Sequence, residues 1–560
     1  MPTIETGYED LLCLVGRHVP LDELREKGIL FAKGEIDEID GETLKIDIKD
    51  TNRPDLWSAE GIAREIAGRY GRPGLPEYSV AKPSLEVRVD PKVARVRPYT
   101  VCAVVRGLDI TENVLSQLIQ LQEKVSETYG KRRKEVAIGV YDLHKIKGPV
   151  RYTTVKPDGI RFVPLEFSDS LTPRQILEQH PKGQEYRHLL EGCPEYPIFI
   201  DDAGEVLSLP PIINSNHTGK VTSQTKDVFI ECSGFSLDFN MTALNVLVAA
   251  LADRGAKVEG VRVVYPRGHL NKTIVTPVLK PKKISVDAGK IRQILGIELK
   301  AGQITELLEQ ARYKARPIGD KIEATYPAYR QDIMHWRDVA EDVAISYGYG
   351  NAEPATPMLA TVGKENRKVV FSRELAQIMI GTGFQEVMSY MLTNKDNIFR
   401  KMETPEGRVA EIENVVSSNW SVFRDRILPG LLEFLSKNKH REYPQKVFET
   451  GTVIIPDSSR ETRTKDEMRT ACAISGVRVG YEEISSVLEA LLSSMGAEYS
   501  LRAEKGTAFI EGRHATVIVS GQAVGEVGEI HPEVLNNWGL EKPVAAFELN
   551  TEKLHELISI

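Results

Sequence analysis

Short runs of alternating apolar and polar residues recur along the chain, and most of them stop at a turn residue. LKIDI from Leu44 and KIEATY from Lys321 place an apolar side chain at every second position, the pattern of a half-buried strand. Residues 100–106, 136–140, 446–454, 514–519 and 545–549 read as further strands. YPIFIDDAGEVLSLPPII reads as strand, a turn at Asp202, Ala203 and Gly204, then strand. Helical spacing takes over elsewhere. Short helices are predicted near 8–15 and 21–27. SLTPRQILEQH offers a capping box, with Thr172 at the N-cap, Pro173 at N1 and Gln175 at N3. MTALNVLVAALADRG sets Leu244, Leu247, Val248 and Leu251 on one helical face and stops at Gly255. A later helix aligns Phe371, Leu375, Ile378, Met379 and Thr382.

One stretch occurs twice. YRQDIMHWRDVAEDVAISYG runs from Tyr329 to Gly348, and NRPDLWSAEGIAREIAGRYG from Asn52 to Gly71. Both carry Arg-x-Asp (Arg53 and Asp55; Arg330 and Asp332), Ala at +8 and +12 from the Asp, and a closing Tyr-Gly. Both follow an alternating strand. The pattern predicts one strand–bend–helix unit used twice. The second copy holds four acids, Asp332, Asp338, Glu341 and Asp342, at offsets 0, +6, +9 and +10. The last three share a helix face, so their carboxylates repel and invite a cation or a basic partner. A solvated acidic face is the plainer reading. The first copy has Gly61 and Arg64 at the +6 and +9 offsets, so the shared fold does not require those acids.

Pro-rich linkers at 72–83, 276–283 and 351–357 divide the chain. The fold class expected is a multidomain α+β and α/β chain. Its parts are a small domain (1–72, first repeat), a larger α/β domain (85–268), a small domain with the second repeat and acidic cluster (276–350), and a final α/β domain (360–560). The length of 560 residues suits about three to five domains. Apolar content of 41% and charged content of 27% are those of a water-soluble globular protein. No run of 18 apolar residues and no signal-peptide pattern occurs, so no membrane span or secretion is expected. Cysteines at 13, 102, 193, 232 and 472 never form CxxC, which argues against zinc knuckles and fits a reducing cytoplasm. The net charge of −8 gives no sign of a nucleic-acid partner, which would need a local basic surface.

The polar run Asn214, Ser215, Asn216, His217, Thr218 follows an apolar strand and could line a hydrogen-bonding pocket or form a plain polar turn. The strand from Asp227 to Cys232 could bring Glu231 beside it. No G-x-S-x-G, HExxH or GxxxxGK[ST] is present.

TNRPDLWSAEGIAREIAGRYG (51–71), AIGVYDLHKI (137–146), LSLPPIINSNHTG (207–219), YRQDIMHWRDVAEDVAISYGYG (329–350), RILPGLLEFLSKN (426–438) and VGEVGEIHPEVL (524–535) occur in this order. With them the chain resembles, end to end, the beta subunit of phenylalanyl-tRNA synthetase of the archaeal and eukaryotic type. The resemblance implies a heterotetramer of two alpha and two beta subunits. It places the ATP and phenylalanine site on alpha and makes the enzyme a phenylalanine–tRNA ligase. In beta it implies an editing domain that hydrolyses tyrosine wrongly attached to tRNA(Phe), with Asn214, Ser215, Asn216, His217, Thr218 and Glu231 as pocket residues. It implies a Mg²⁺ site at Asp332, Asp338, Glu341 and Asp342, shared with alpha. It also implies a last domain built as an antiparallel class II synthetase core without catalysis, and no GxGxxR motif follows residue 480. An alternative is a purely structural beta subunit whose editing site has decayed. Relatives carry Asn-Pro where this chain has Asn414-Val415, and an added C-terminal anticodon-binding module is not expected after 548–554.

Overall fold

The structure, a computed structural model, describes residues 2–558. It divides into two compact units, Met1–Thr356 and Pro357–Ile560. The architecture is mixed α/β and multidomain, as the patterning implies.

In the first unit the two repeats are built alike. Thr43–Ile48 is the central strand of a three-stranded sheet, and Lys321–Tyr326 is the central strand of another. Each runs through its Arg-x-Asp bend into a helix, Ala59–Arg69 or Trp336–Tyr347. Gly41 turns the first hairpin at φ 59°, where a side chain would be strained.

Between them stands a ten-stranded sheet that runs from Val80 to Thr276. It exceeds the expected span of 85–268 at both ends. Val80 and Ala81 leave the Pro-rich linker to pair with Val258 and Glu259, and Lys272–Thr276 pairs back onto Lys257–Tyr265. The sheet curls until its ends touch. Tyr141 on the terminal strand Val136–Asp142 donates to Ser208 Oγ near the opposite end at 2.7 Å, and the Asp142 amide donates to the Thr218 carbonyl at 2.9 Å. Strict alternation sorts the two faces. Val104, Tyr141, Tyr152, Phe199, Leu207 and Phe229 fill the inside. Val101, Ala103, Val105, Ile230 and Cys232 face outward onto the helix Leu237–Asp253. That helix is buried on more than the one predicted face: Val246, Ala249 and Ala250 are covered as well, because it also packs against the first repeat. The Thr172 capping box forms as read.

The second unit is a seven-stranded sheet, antiparallel except where Gln385–Glu386 joins Gln445–Pro456 in parallel. The strands expected at 446–454, 514–519 and 545–549 lie inside Gln445–Pro456, Phe509–Val519 and Val544–Asn550. Helix Arg367–Gly381 buries Phe371, Leu375 and Met379 against one face. Among the described residues no helix is long and apolar enough to cross a membrane.

Candidate functional site

The seam of the curled sheet opens into a cleft of about 360 Å³. Leu118 from the helix Glu112–Lys124, Ile138 and Val140 from the terminal strand, and Ile212 give it apolar walls. Its polar lining includes Asn214, Ser208 and Glu231, together with charged groups such as Glu123, Arg133, Glu166 and Lys220.

Glu231 reaches the cleft through strand alternation. Phe229 faces the sheet interior, so Glu231, two residues on, faces the same way. Its backbone neighbour across the ladder is Gly139. A Cβ there would stand 2.0 Å from the Tyr141 hydroxyl and 2.8 Å from Glu231 Oε1, so glycine is what leaves room for both groups. Tyr141 Oη lies 3.2 Å from Glu231 Oε1. Glu231 Oε2 is buried without a hydrogen-bond partner. Burial disfavours the charged form and pushes the carboxyl up to about 8, against the opposing pull of Arg97. At neutral pH the group therefore holds its proton, and it can donate as well as accept a hydrogen bond.

The structure separates the other predicted pocket residues. Asn214 lines the cleft, with Nδ2 3.4 Å from the Val140 carbonyl. Ser215 and Thr218 do not line it: both are buried, and their hydroxyls bond each other at 2.9 Å while Ser215 Oγ accepts from the Thr218 amide. They hold the turn. Asn216 stands outside the lining, with its amide on the Val163 carbonyl, and His217 is exposed on the turn's outer side. A short polar run beside a strand end has too little backbone to aim every side chain one way, and here it aims one in and folds the rest into the turn. Ser208 and Tyr141 went unrecognised in the sequence. For Tyr141 the signal was alternation, which puts it on the inward face with Glu231; Ser208 pairs with the inward Phe199 beside a register shift that breaks the alternation from Leu207.

One rim of the cleft is a turn of unusual backbone. Lys131, Arg132 and Arg133 all have left-handed φ, at 49°, 53° and 61°. Each costs roughly 1–2 kcal/mol for an L-residue, so the surroundings must hold them. Their amides donate to the carbonyls of Thr128, Glu127 and Ser126 at 3.2, 2.9 and 2.9 Å. The buried Arg97 donates to the carbonyls of Arg133 and Lys134, both at 3.1 Å, and to that of Ser233 at 2.5 Å. Arg133 lines the cleft, bonds the Ile212 carbonyl at 2.9 Å and lies 4.3 Å over the Tyr186 ring.

The acidic cluster of the second repeat does not converge. Arg330 grips Asp332 in two bonds of 2.8 and 2.6 Å and reaches Asp342 at 2.8 Å. Tyr313 also donates to Asp342, at 2.6 Å. Asp338 accepts from the amides of Met334 and His335 and caps its own helix. Glu341 is half exposed and lies 3.2 Å from Lys33. Among the described residues no group of three or more His, Cys, Asp and Glu is placed to hold a metal ion. Of the four residues expected to hold Mg²⁺, the buried Arg330 guanidinium already neutralises Asp332 and Asp342.

The first repeat holds the same triad. Arg53 grips Asp55 at 2.9 and 2.7 Å and reaches Glu65 at 3.1 Å. Glu65 and Asp342 both stand at +10 from the Asp, a third shared position that grouping acids by helix face concealed. The triads sit side by side, with Arg53 Nε 3.8 Å from Asp332 Oδ1.

Three family models match the chain: the B3/4 domain over residues 106–245, the tRNA synthetase B5 domain over 284–349, and the phenylalanyl tRNA synthetase beta chain CLM domain over 353–551. The phenylalanine–tRNA ligase beta subunit of Pyrococcus abyssi is 46% identical over 561 residues, covering 99% of this chain and 100% of that protein. That of Methanothrix thermoacetophila is 39% identical, covering 98% and 99%. The crystal structure of an N-terminal fragment of the Pyrococcus horikoshii beta subunit superposes with a TM-score of 0.60 at 47% identity, covering 62% of this chain and 100% of the fragment. On identity of this extent over nearly its whole length, the chain belongs to the phenylalanine–tRNA ligase beta subunit family.

Proposed function

We propose that this chain is the beta subunit of a cytoplasmic phenylalanine–tRNA ligase, works with an alpha subunit in an α2β2 heterotetramer, and removes tyrosine wrongly attached to tRNA(Phe). Phenylalanine activation, with ATP and its magnesium, belongs to alpha. In support, the charged groups inside the second unit are spent on each other: Arg424 pairs with Glu449 at 2.6 Å, and Glu548 accepts from the amides of Ile427 and Leu428. We take this unit as a class II-like core without a synthetic site.

The observation that carries the editing reading is Glu231 in the cleft, buried with Oε2 unpartnered, where burial pushes its carboxyl up. A phenyl ring would meet apolar walls and leave Oε2 unsatisfied. A phenol would satisfy it. Burying a polar group without a partner costs about 1–3 kcal/mol, so the cleft prefers tyrosine over phenylalanine by the hydroxyl alone. Hydrolysis adds water to the ester carbonyl and breaks the ester C–O bond; the amino acid leaves as its carboxylate and the ribose regains its hydroxyl. His217 lies outside the cleft lining, so we assign the chain the part of holding the ester where water reaches it.

The test is deacylation of Tyr-tRNA(Phe) and Phe-tRNA(Phe) by the alpha–beta complex. Wild type should favour the tyrosyl ester, and Glu231→Ala should lose about ten-fold or more of that preference. A wild-type complex with no deacylase activity returns beta to the purely structural reading.

A further inference from the structure

We propose that the left-handed turn Lys131–Lys134 is a phosphate clamp for an RNA strand whose 3′ end enters the cleft. The inference rests on the editing reading for what the strand delivers, but not for the clamp itself.

Four consecutive cations occupy this turn, Lys131, Arg132, Arg133 and Lys134. Their backbone is fixed and their charges are largely free. Gly130, just before them, admits no side chain: a Cβ would lie 2.4 Å from the carbonyls of both Ser126 and Val136. The turn's amides are satisfied internally, and Arg97 ties two of its carbonyls to the strand that carries Glu231. Lys131, Arg132 and Lys134 are exposed. Among the described residues Arg132 and Lys134 make no ion pair, and Lys131 approaches only Glu135, at 3.9 Å.

Cations at the end of a helix serve its dipole, and the turn follows the helix Glu112–Lys124 and the wider turn Val125–Tyr129. That explains one or two charges. It does not explain three strained residues in a row, since a glycine or asparagine would take the same backbone at less cost. Strain retained at a cleft rim points to what the side chains do there. Lys220 also lines the cleft, is exposed and makes no ion pair among the described residues, and Lys182 lines it too, paired with Glu185 at 3.0 Å. An anionic strand laid between Arg132 and Lys220 would have cations on both sides. It would carry its terminal ester down to Glu231. Several cations around one cleft suit a polyanion rather than one isolated phosphate.

The test is deacylation kinetics of the alpha–beta complex as salt is varied, together with binding of a fluorescent oligoribonucleotide bearing a tRNA 3′ end. The variant is Lys131→Asn/Arg132→Asn/Lys134→Gln. Asparagine tolerates left-handed φ, so the unfolding midpoint should stay at or above that of wild type. KM should nevertheless rise at least about ten-fold, more than kcat falls, and the slope of log affinity against log salt should shrink by about 2 for three lost phosphates on a single strand. Charge-preserving Lys131→Arg/Arg132→Lys/Lys134→Arg should restore KM to within about two-fold. An unchanged KM and salt slope in the neutral variant overturn the proposal. So does competition by inorganic phosphate well beyond that of chloride at equal ionic strength with the RNA slope unaltered, which marks a site for a free anion. If the wild-type complex does not deacylate, the editing reading fails, and the oligoribonucleotide slopes alone decide the clamp.

Discussion

The two repeats share an ion triad and differ in nearly everything around it. In the first, the helix Ala59–Arg69 is buried from Ala59 to Gly68, and Arg64 spans from Asp253, at 2.6 Å, to the face of Tyr329, at 4.4 Å. In the second, the helix Trp336–Tyr347 keeps one side open, with Arg337 and Glu341 exposed. The +6 position shows why. Gly61 packs flat on its own bend, where a Cβ would meet the Asp55 carbonyl at 1.7 Å, and Ser58 caps the helix instead. Asp338 at the same offset does the capping itself. The triad sets the bend; the +6 and +9 residues decide whether the helix is enclosed or presented. The acids that face inward are counter-ions, while the open side leaves Glu341 half exposed beside Lys33.

The sharpest way to break this equivalence is to remove each guanidinium. Arg53→Met and Arg330→Met should each destabilise the chain by roughly 3–5 kcal/mol in chemical denaturation, since each strands buried carboxylates. A loss below about 1 kcal/mol for either would show that its triad is not structural. Swapping the +6 residues should be lopsided. Gly61→Asp forces an overpacked contact and should cost about 3 kcal/mol, whereas Asp338→Gly loses only a cap, about 1 kcal/mol.

Acid titration sharpens the comparison further and sets the triads against the cleft. Burial alone would raise the Glu65 carboxyl, but Arg53 and Arg69 hold it down, from 4.5 to about 2. Arg330 and Arg53 likewise outweigh burial and depress Asp332. A depressed carboxylate stabilises fully above its unfolded value, and that contribution is lost as pH falls from about 4.5 towards 2. Glu231 has the opposite sign: its contribution is present below 4.5 and is lost as pH rises through about 8. Glu65→Gln should flatten the acid limb of the unfolding midpoint against pH, and Glu231→Gln the limb from 4.5 to 8.

The smallest effects are expected on the open side. Glu341→Gln, which breaks the half-exposed pair with Lys33, should change stability by less than about 1 kcal/mol. Chelation of divalent ions should leave the unfolding midpoint of the isolated chain where it was; a fall on chelation would revive a metal held by this chain alone.

The repeat was legible because bends and stops are local: Arg-x-Asp, the two alanines and Tyr-Gly survive at fixed spacing in both copies. The pairing inside it was not. A carboxylate cluster in sequence carries no mark of the arginine that will be buried among it, and Arg330 lies in the same run, read as part of the bend. Likewise the apolar strands and the Thr172 cap could be placed from periodicity. The cleft could not, because it forms where the sheet's two ends meet, and that closure joins residues far apart in the chain, such as Tyr141 and Ser208. Of the polar run, only Asn214 was placed in the lining.

Gly139 gives the cleft a particular fragility. The space beside Glu231 exists because one carbon atom is missing from one strand, and the ladder on either side would survive its addition. A single-nucleotide change from glycine to alanine would thus fill the space between the Tyr141 hydroxyl and Glu231, at an overpacking cost of about 1–3 kcal/mol. The cleft hangs on an empty position, which a survey of side-chain chemistry alone would pass over.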